Sequence, residues 1–196
     1  MKVARRHDDM LARAHYVLAI LAPWIRRGEV LGSLRRGKPE VNDIELLVAP
    51  RFEEVPAGLF GESEPVNVLV REMKRLLDAG DVEHRYDVNG RGSFGERYMR
   101  INWVIPESPE LPEERVPVDL FVCLPPAQWG VLEMIRTGPA DFSKRLVTPK
   151  PYGLLPMGMR VQDGQIIDRG QPIETPDEET FFAQIGIDYI RPEDRA

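Results

Sequence analysis

Alternating helical and strand-like segments predict a mixed α/β (α+β) fold for this 196-residue chain. Two observations carry that expectation. Met10, Ala14, Val17, Leu18, Leu21 and Ile25 recur at helical spacing, so residues 8–27 read as an amphipathic helix. Later runs rich in Val, Ile and Leu are short and bounded by Gly, Pro or Asn, which is the pattern of strands. A hydrophobic content of 42% with 30% charged residues is that of a soluble, globular chain. The length allows one domain with a sizeable core or two small subdomains.

The elements follow in order. Pro23 is positioned to kink the first helix and Gly28 to end it. Val30-Leu31 leads into a Gly32-Ser33 turn, and Asp43 to Val48 forms the next strand. Residues 50–65, rich in Pro, Gly and Glu, read as a loop. Val66 to Leu77 is helical, with Val66, Val70, Met73 and Leu77 on one face. Val82–Val88 and Tyr98–Ile105 are strands, with Asn89-Gly90 signalling a hairpin between them. The Gly-rich GRGSFG has no helix pattern after it, so a hairpin tip is favoured over a phosphate loop. Pro106 to Pro117 is a connector before the apolar run VPVDLFVCL. Trp129 to Ile135 is a short helix. Met159–Gln162 and Gln165–Ile167 flank Asp163-Gly164, a second hairpin signal. Thr175 to Glu178, reading TPDE, is a capping box that opens a helix through Phe181, Phe182 and Ile185, closed by Gly186.

The chemistry concentrates in GSLRRGKPEVNDIELLV, from Gly32 to Val48. Asp43 and Glu45 stand two apart in an apolar run, so on a strand both project to one face while Ile44 and Leu46 enter a core. Adjacent acids repel unless a cation lies between them. Hard oxygen ligands beside a Gly-Ser turn suit Mg²⁺, which takes one or two carboxylates plus substrate phosphates. That is the layout of a two-metal phosphoryl-transfer site. Two metals need a third acid, and Asp119 is the candidate, set in an apolar run between Val118 and Leu120. A lone Asp in such a run is more often an exposed acid on an edge strand. The company of Asp43, Glu45 and the Gly-Ser turn reverses that preference.

GSLRRGK followed by DIE resembles the palm signature of family X DNA polymerases, the polymerase-beta-like branch of the nucleotidyltransferases. The resemblance extends through Asp119, through Thr137-Gly138 in IRTGPADFSKRL, and through DYIRPEDR from Asp188 to Arg195, in order along the chain. It implies a nucleotidyltransferase palm with a mixed sheet over residues 1–135 and a small α+β nucleotide-binding subdomain over 136–196. The implied metal set is Asp43, Glu45 and Asp119, holding two Mg²⁺ ions with Mn²⁺ as an alternative. Gly32 and Ser33 would bind the β- and γ-phosphates of a dNTP. Arg36 would contact the phosphates bidentately, as a guanidinium can. Arg35 has the weaker case and reads as structural. Asp119 would help activate a primer 3′-hydroxyl, and Thr137-Gly138 would flank the nucleotide.

Three departures stand beside the resemblance. Glu45 replaces the second Asp of the family's polymerases. Ile135 and Arg136 replace the aromatic pair that packs on the sugar. The chain resembles a minimal form without the lyase and helix-hairpin-helix region. The resemblance implies an intracellular, cytoplasmic monomer acting on primer-template or gapped DNA in repair, with tRNA, a protein or a small molecule as the alternative acceptor. No signal peptide or membrane span is read from the sequence. A net charge of −6 is awkward for a DNA-binding chain. Positive charge is nonetheless clustered, in residues 1–36 and in Phe142 to Gln162, where Lys144, Arg145 and Lys150 are candidates to face a phosphate backbone. An ordinary solvated loop explains that second stretch equally well.

Overall fold

A five-stranded mixed sheet, with its two faces put to different uses, organises the molecule. The computed structural model describes residues 5–57, 62–106 and 113–195. Lys2 of the basic amino-terminal segment and the middle of the Pro106–Pro117 connector lie outside these residues.

A two-residue strand, β1 (Arg5–Arg6), precedes α1 (His7–Leu21). Met10, Ala14, Val17 and Leu21 are fully buried along α1, as their spacing requires. The helix stops short of the expected residue 27. Pro23 sits in a 3₁₀ turn, Ala22–Trp24, and Ile25 already opens β2 (Ile25–Val30). Ala22 keeps helical geometry, φ −50° and ψ −39°, but proline offers no amide to an α-helical ladder, so the helix tightens into a 3₁₀ turn and stops here rather than kinking. Next come α2 (Gly32–Arg35), β3 (Glu40–Val41), which pairs with β1, and β4 (Ile44–Pro50).

Residues 50–65 are a correction to the sequence reading. β5 (Phe52–Ala57) and β6 (Glu62–Asn67) form an antiparallel hairpin whose tip, 58–61, lies outside the described residues. Its side chains are mostly exposed, so no apolar alternation announces it. α3 (Val68–Ala79) begins two residues later than expected, capped by Asn67, whose Oδ1 accepts from Val70 N at 3.2 Å. Val68, Leu69, Met73 and Leu76 carry its buried face, flanked by the partly buried Val70 and Leu77. β7 (Val82–His84) is shorter than expected, and β8 (Tyr98–Ile105) has the expected bounds. β9 (Glu114–Val122) starts inside the expected connector and includes Pro117, opposite Asn102.

The strand order is β2-β4-β9-β8-β7, with β4 and β9 parallel and the other pairs antiparallel. Alternation along the strands splits the residues between faces. Ile44, Leu46, Val48, Met99, Ile101, Val118 and Leu120 pack with α1 and α3 in the main core. Full burial of such a side chain contributes roughly 1.5–3 kcal/mol each. The opposite face carries Glu45, Leu47, Tyr98, Arg100, Asp119 and Phe121.

α4 (Trp129–Thr137) covers one end of that second face, where Trp129 and Leu132 join Leu31, Leu47 and Phe121. Its other side, through Val131 and Met134, enters a separate core with Leu146, Leu155, Ile166, Phe181 and Phe182. Around that core lie α5 (Ala140–Val147), the sheet β10 (Met159–Gln162), β11 (Gln165–Asp168) and β12 (Gln171–Ile173), and α6 (Glu178–Gln184). α5 and β12 have no counterpart in the sequence reading. Asp163 and Gly164 both adopt positive φ, 51° and 74°, which is what a two-residue Asp-Gly hairpin demands. The helix cap is corrected from Thr175 to Asp177, whose Oδ1 accepts from Thr180 N at 2.7 Å. No helix among the described residues is long and apolar enough to cross a membrane.

α4 and α6 touch so closely at Gly130 that a Cβ there would lie 2.0 Å from the carbonyl oxygen of Asp177. Gly130→Ala must push the helices apart. We expect a loss of about 1–3 kcal/mol, read as a lower urea midpoint at unchanged m-value.

Candidate active site

The acids meet because β4 and β9 are parallel neighbours. Glu45 and Asp119 are register partners across that pair, and Asp43 stands one residue before β4. Gly32 is held against them. Its φ is +64°, and a Cβ there would lie 1.6 Å from Glu45 Oε2. Both the positive φ and the close approach require glycine. Leu31 N donates to Glu45 O at 2.8 Å, tying the Gly-Ser turn to the strand that bears the acid. Ser33 follows Gly32 in the first turn of α2.

The crowding shows in the charges. Burial, then the neighbouring charges of Asp43 and Asp119, push the Glu45 carboxyl up to about 7, against the pull of Arg36 and Arg136. Asp119 moves the other way. Burial pushes it up, but hydrogen bonds from Arg85 and Tyr98 and the charges of Arg85 and Arg100 outweigh that, and its pKa falls below the ordinary value. Tyr98 Oη donates to Asp119 Oδ1 at 2.5 Å, and Arg100 Nε reaches the same oxygen at 3.3 Å. Arg85 Nη2 lies 2.6 Å from Asp119 Oδ2, and Arg85 Nη1 lies 3.7 Å from Asp43 Oδ2.

Three hard carboxylates from one face suit a divalent cation in donor chemistry. As arranged, however, a guanidinium stands beside two of them, and no group of three or more His, Cys, Asp or Glu among the described residues closes around a metal position.

The two arginines of GSLRR both reach Thr137. Arg36 Nη1 donates to the Thr137 carbonyl, and burial lowers the Arg36 pKa. Arg35 Nη1 donates to Thr137 Oγ1 at 2.5 Å and to Glu178 Oε2 at 2.8 Å, while its Nη2 lies 3.2 Å from Glu133. Arg35 is therefore a joint between α2, α4 and α6. Arg195 completes it from the chain's end, with Nη1 2.7 Å from Glu178 Oε1 and its guanidinium among Phe142, Phe182 and Tyr189. Gly138, at φ +71°, follows directly, and a Cβ there would meet Arg36 Nη1 at 2.9 Å.

Other sequence candidates are dispersed. Arg136 is exposed and stacks over Phe121 at 4.1 Å, beside the stacked Tyr98–Phe121 pair at 5.0 Å. These rings, with Leu132 and Arg97, line a cleft of about 350 Å³, and Tyr98 in its wall bonds Asp119. Ile135 packs against the carboxy-terminal core. Lys144 and Arg145 lie on the exposed last turn of α5, and Lys150 is exposed just beyond it.

Sequence reasoning missed Arg85, Tyr98, Arg100 and Phe121. A signal existed for two of them. Tyr98 and Arg100 alternate with the apolar Met99 and Ile101, which puts polar groups on the face shared with Asp119. Arg85, just past a short strand, left none. Compared with known proteins, the chain matches no family model and no curated protein.

The Glu45 shift gives a signed expectation for chelator-treated protein. The folded state holds a proton that the unfolded state releases above about 4.5, so this contribution is complete below that pH and is lost as pH rises through 7. Unfolding followed from pH 4 to 8 is expected to show Glu45→Gln with a flatter decline than the parent. The difference in slope reaches about 1.4 kcal/mol per pH unit between the two values.

Proposed function

We propose that this chain is a Mg²⁺-dependent nucleotidyltransferase of the family X DNA polymerase kind, adding dNTPs to a primer 3′-hydroxyl and suited to filling short gaps in DNA repair. The observation that carries the reading is the packing of Glu45 directly over Gly32, which puts a turn able to approach phosphate oxygens against the acid cluster. Neither element is informative alone. Their proximity supports a reaction at the α-phosphorus of a triphosphate bound beside the acids.

In the proposed reaction, the primer 3′-oxygen attacks the α-phosphorus. The bond between that phosphorus and the bridging oxygen to the β-phosphate breaks, pyrophosphate leaves, and the hydroxyl proton passes to solvent. Gly32 and Ser33 hold the β- and γ-phosphates. Arg36 faces the same region from the residue after α2, and Thr137-Gly138 flanks the nucleotide, held there by both arginines. Arg136, with the Tyr98–Phe121 stack, offers a cleft wall on which a nucleoside can pack. Tyr98 and Arg100 keep Asp119 ionised and oriented toward the 3′-hydroxyl. Asp43, Glu45 and Asp119 would hold Mg²⁺, which when bound would supply positive charge to stabilise the transition state. The rest of the catalysis is positioning.

A second reading is the same transfer onto tRNA, a protein or a small molecule, and the net charge of −6 favours the latter two over either polyanion. Labelled primer, with and without template, incubated with each dNTP and compared with those acceptors, separates the two. Asp43→Asn, Glu45→Gln and Asp119→Asn are each expected to lower kcat more than about a hundredfold, several kcal/mol of transition-state stabilisation, while the melting curve stays cooperative. Full activity in the Asp119 variant would remove it from the site.

DNA affinity is expected to fall with salt. Replacing Lys144, Arg145 and Lys150 by Ala should flatten the log–log slope by roughly one unit for each residue that touches a phosphate. An unchanged slope in the triple variant would take α5 and the loop after it off the DNA path.

A further inference from the structure

We propose that Arg85 is an internal counter-ion for the acid cluster, and that a divalent cation binds only by displacing its guanidinium from Asp43 and Asp119. The inference rests on the metal-dependent reading above and adds a residue that competes with the metal.

Arg85 follows β7 at the sheet edge, and its backbone N donates to Arg100 O at 3.1 Å, which fixes the main chain. From there the side chain passes over β8 to reach Asp119 on β9 and Asp43 before β4. The contact to Asp119, at 2.6 Å, is a short charge-assisted one. The contact to Asp43, at 3.7 Å, is too long for a hydrogen bond and acts by charge alone. Nε of the same guanidinium is buried and has no partner among the described residues. A buried donor left unpaired costs free energy, so this pose is held by the acids and not by a complete hydrogen-bond set.

Asp119 does not depend on Arg85 for its orientation. Tyr98 and Arg100 both engage Oδ1, leaving Oδ2 to Arg85. Withdrawing the guanidinium therefore uncovers Asp119 Oδ2 and takes one positive charge away from Asp43, while Asp119 Oδ1 stays anchored. Both acids that Arg85 contacts belong to the proposed metal set. A single positive charge is exchanged for a double one at the place where three carboxylates repel. The exchange is favourable once the cation is present, yet it lowers the cation's apparent affinity by the cost of moving Arg85.

The test is Mn²⁺ binding to chelator-stripped protein, followed by calorimetry and by the loss of the free-ion EPR signal, alongside melting temperature in EDTA. Arg85→Gln is expected to bind Mn²⁺ at least tenfold more tightly than the parent and to melt lower in EDTA, with Mn²⁺ closing the gap. Arg85→Lys keeps a charge without the planar fork and is expected to bind severalfold more tightly, which covers the case of an unfolded Gln variant. Tyr98→Phe, which loosens Asp119 but leaves Arg85, is expected to show no gain. Equal or weaker Mn²⁺ binding in both Arg85 variants, with clear binding in the parent, would overturn the counter-ion role and leave the metal site standing. No Mn²⁺ binding in any of the proteins would overturn the metal-dependent reading, and this inference with it.

Discussion

Repulsion among three carboxylates on one end of a sheet is the constraint around which the rest of the molecule is arranged. Asp43, Glu45 and Asp119 are drawn together by strand pairing that the main core enforces from the other face. Apolar burial of Ile44, Leu46, Val118 and Leu120 fixes where the acids must point, because side chains alternate along a strand. The electrostatic cost is then met locally. Glu45 rises toward neutrality, Asp119 recruits Tyr98, Arg85 and Arg100, and Arg36 and Arg136 bring positive charge to the remaining side. An overall acidic chain thus keeps arginines concentrated where its acids are densest.

A second dependency joins the two cores. α4 contributes Trp129 and Leu132 to one and Val131 and Met134 to the other. Across this helix, Arg35 binds Glu133, Thr137 and Glu178, and Glu178 in turn binds Arg195. The last turn of the chain is thereby connected to the residue next to Arg36. Buried ion pairs of this sort add little net stability against desolvation, but removing one partner strands the others. Their value lies in fixing position, here the distance between the Gly-Ser turn and Thr137-Gly138.

Much of this was legible in the sequence, for identifiable reasons. The stripe of α1, the bounds of β8 and the Asp163-Gly164 turn follow from periodicity and turn chemistry, and each carries a strong local signal. The hairpin of β5 and β6 failed because its strands bury almost nothing, so pairing there is held by backbone hydrogen bonds that leave no apolar trace. The cap of α6 was misplaced because TPDE offers two good capping residues two positions apart, and Thr175 Oγ1 is spent on the Ile173 carbonyl. At the site, Gly32, Asp43, Glu45 and Asp119 could be grouped because each breaks an apolar pattern. Arg85 could not, since its reach across two strands is a property of the assembled sheet.

The parallel pairing of β4 with β9 has a further consequence. Antiparallel neighbours can be joined by a tight turn, whereas parallel ones need a long crossover, and here the β5–β6 hairpin, α3, β7 and β8 all intervene. Glu45 and Asp119 are consequently strangers during early folding, brought side by side only when a large non-local loop closes. A nascent or partly unfolded chain carries the acids but not the cluster. On the metal-dependent reading proposed above, cation binding followed in time during refolding would act as a clock for closure of the sheet's centre, marking the moment at which distant segments first share a common surface.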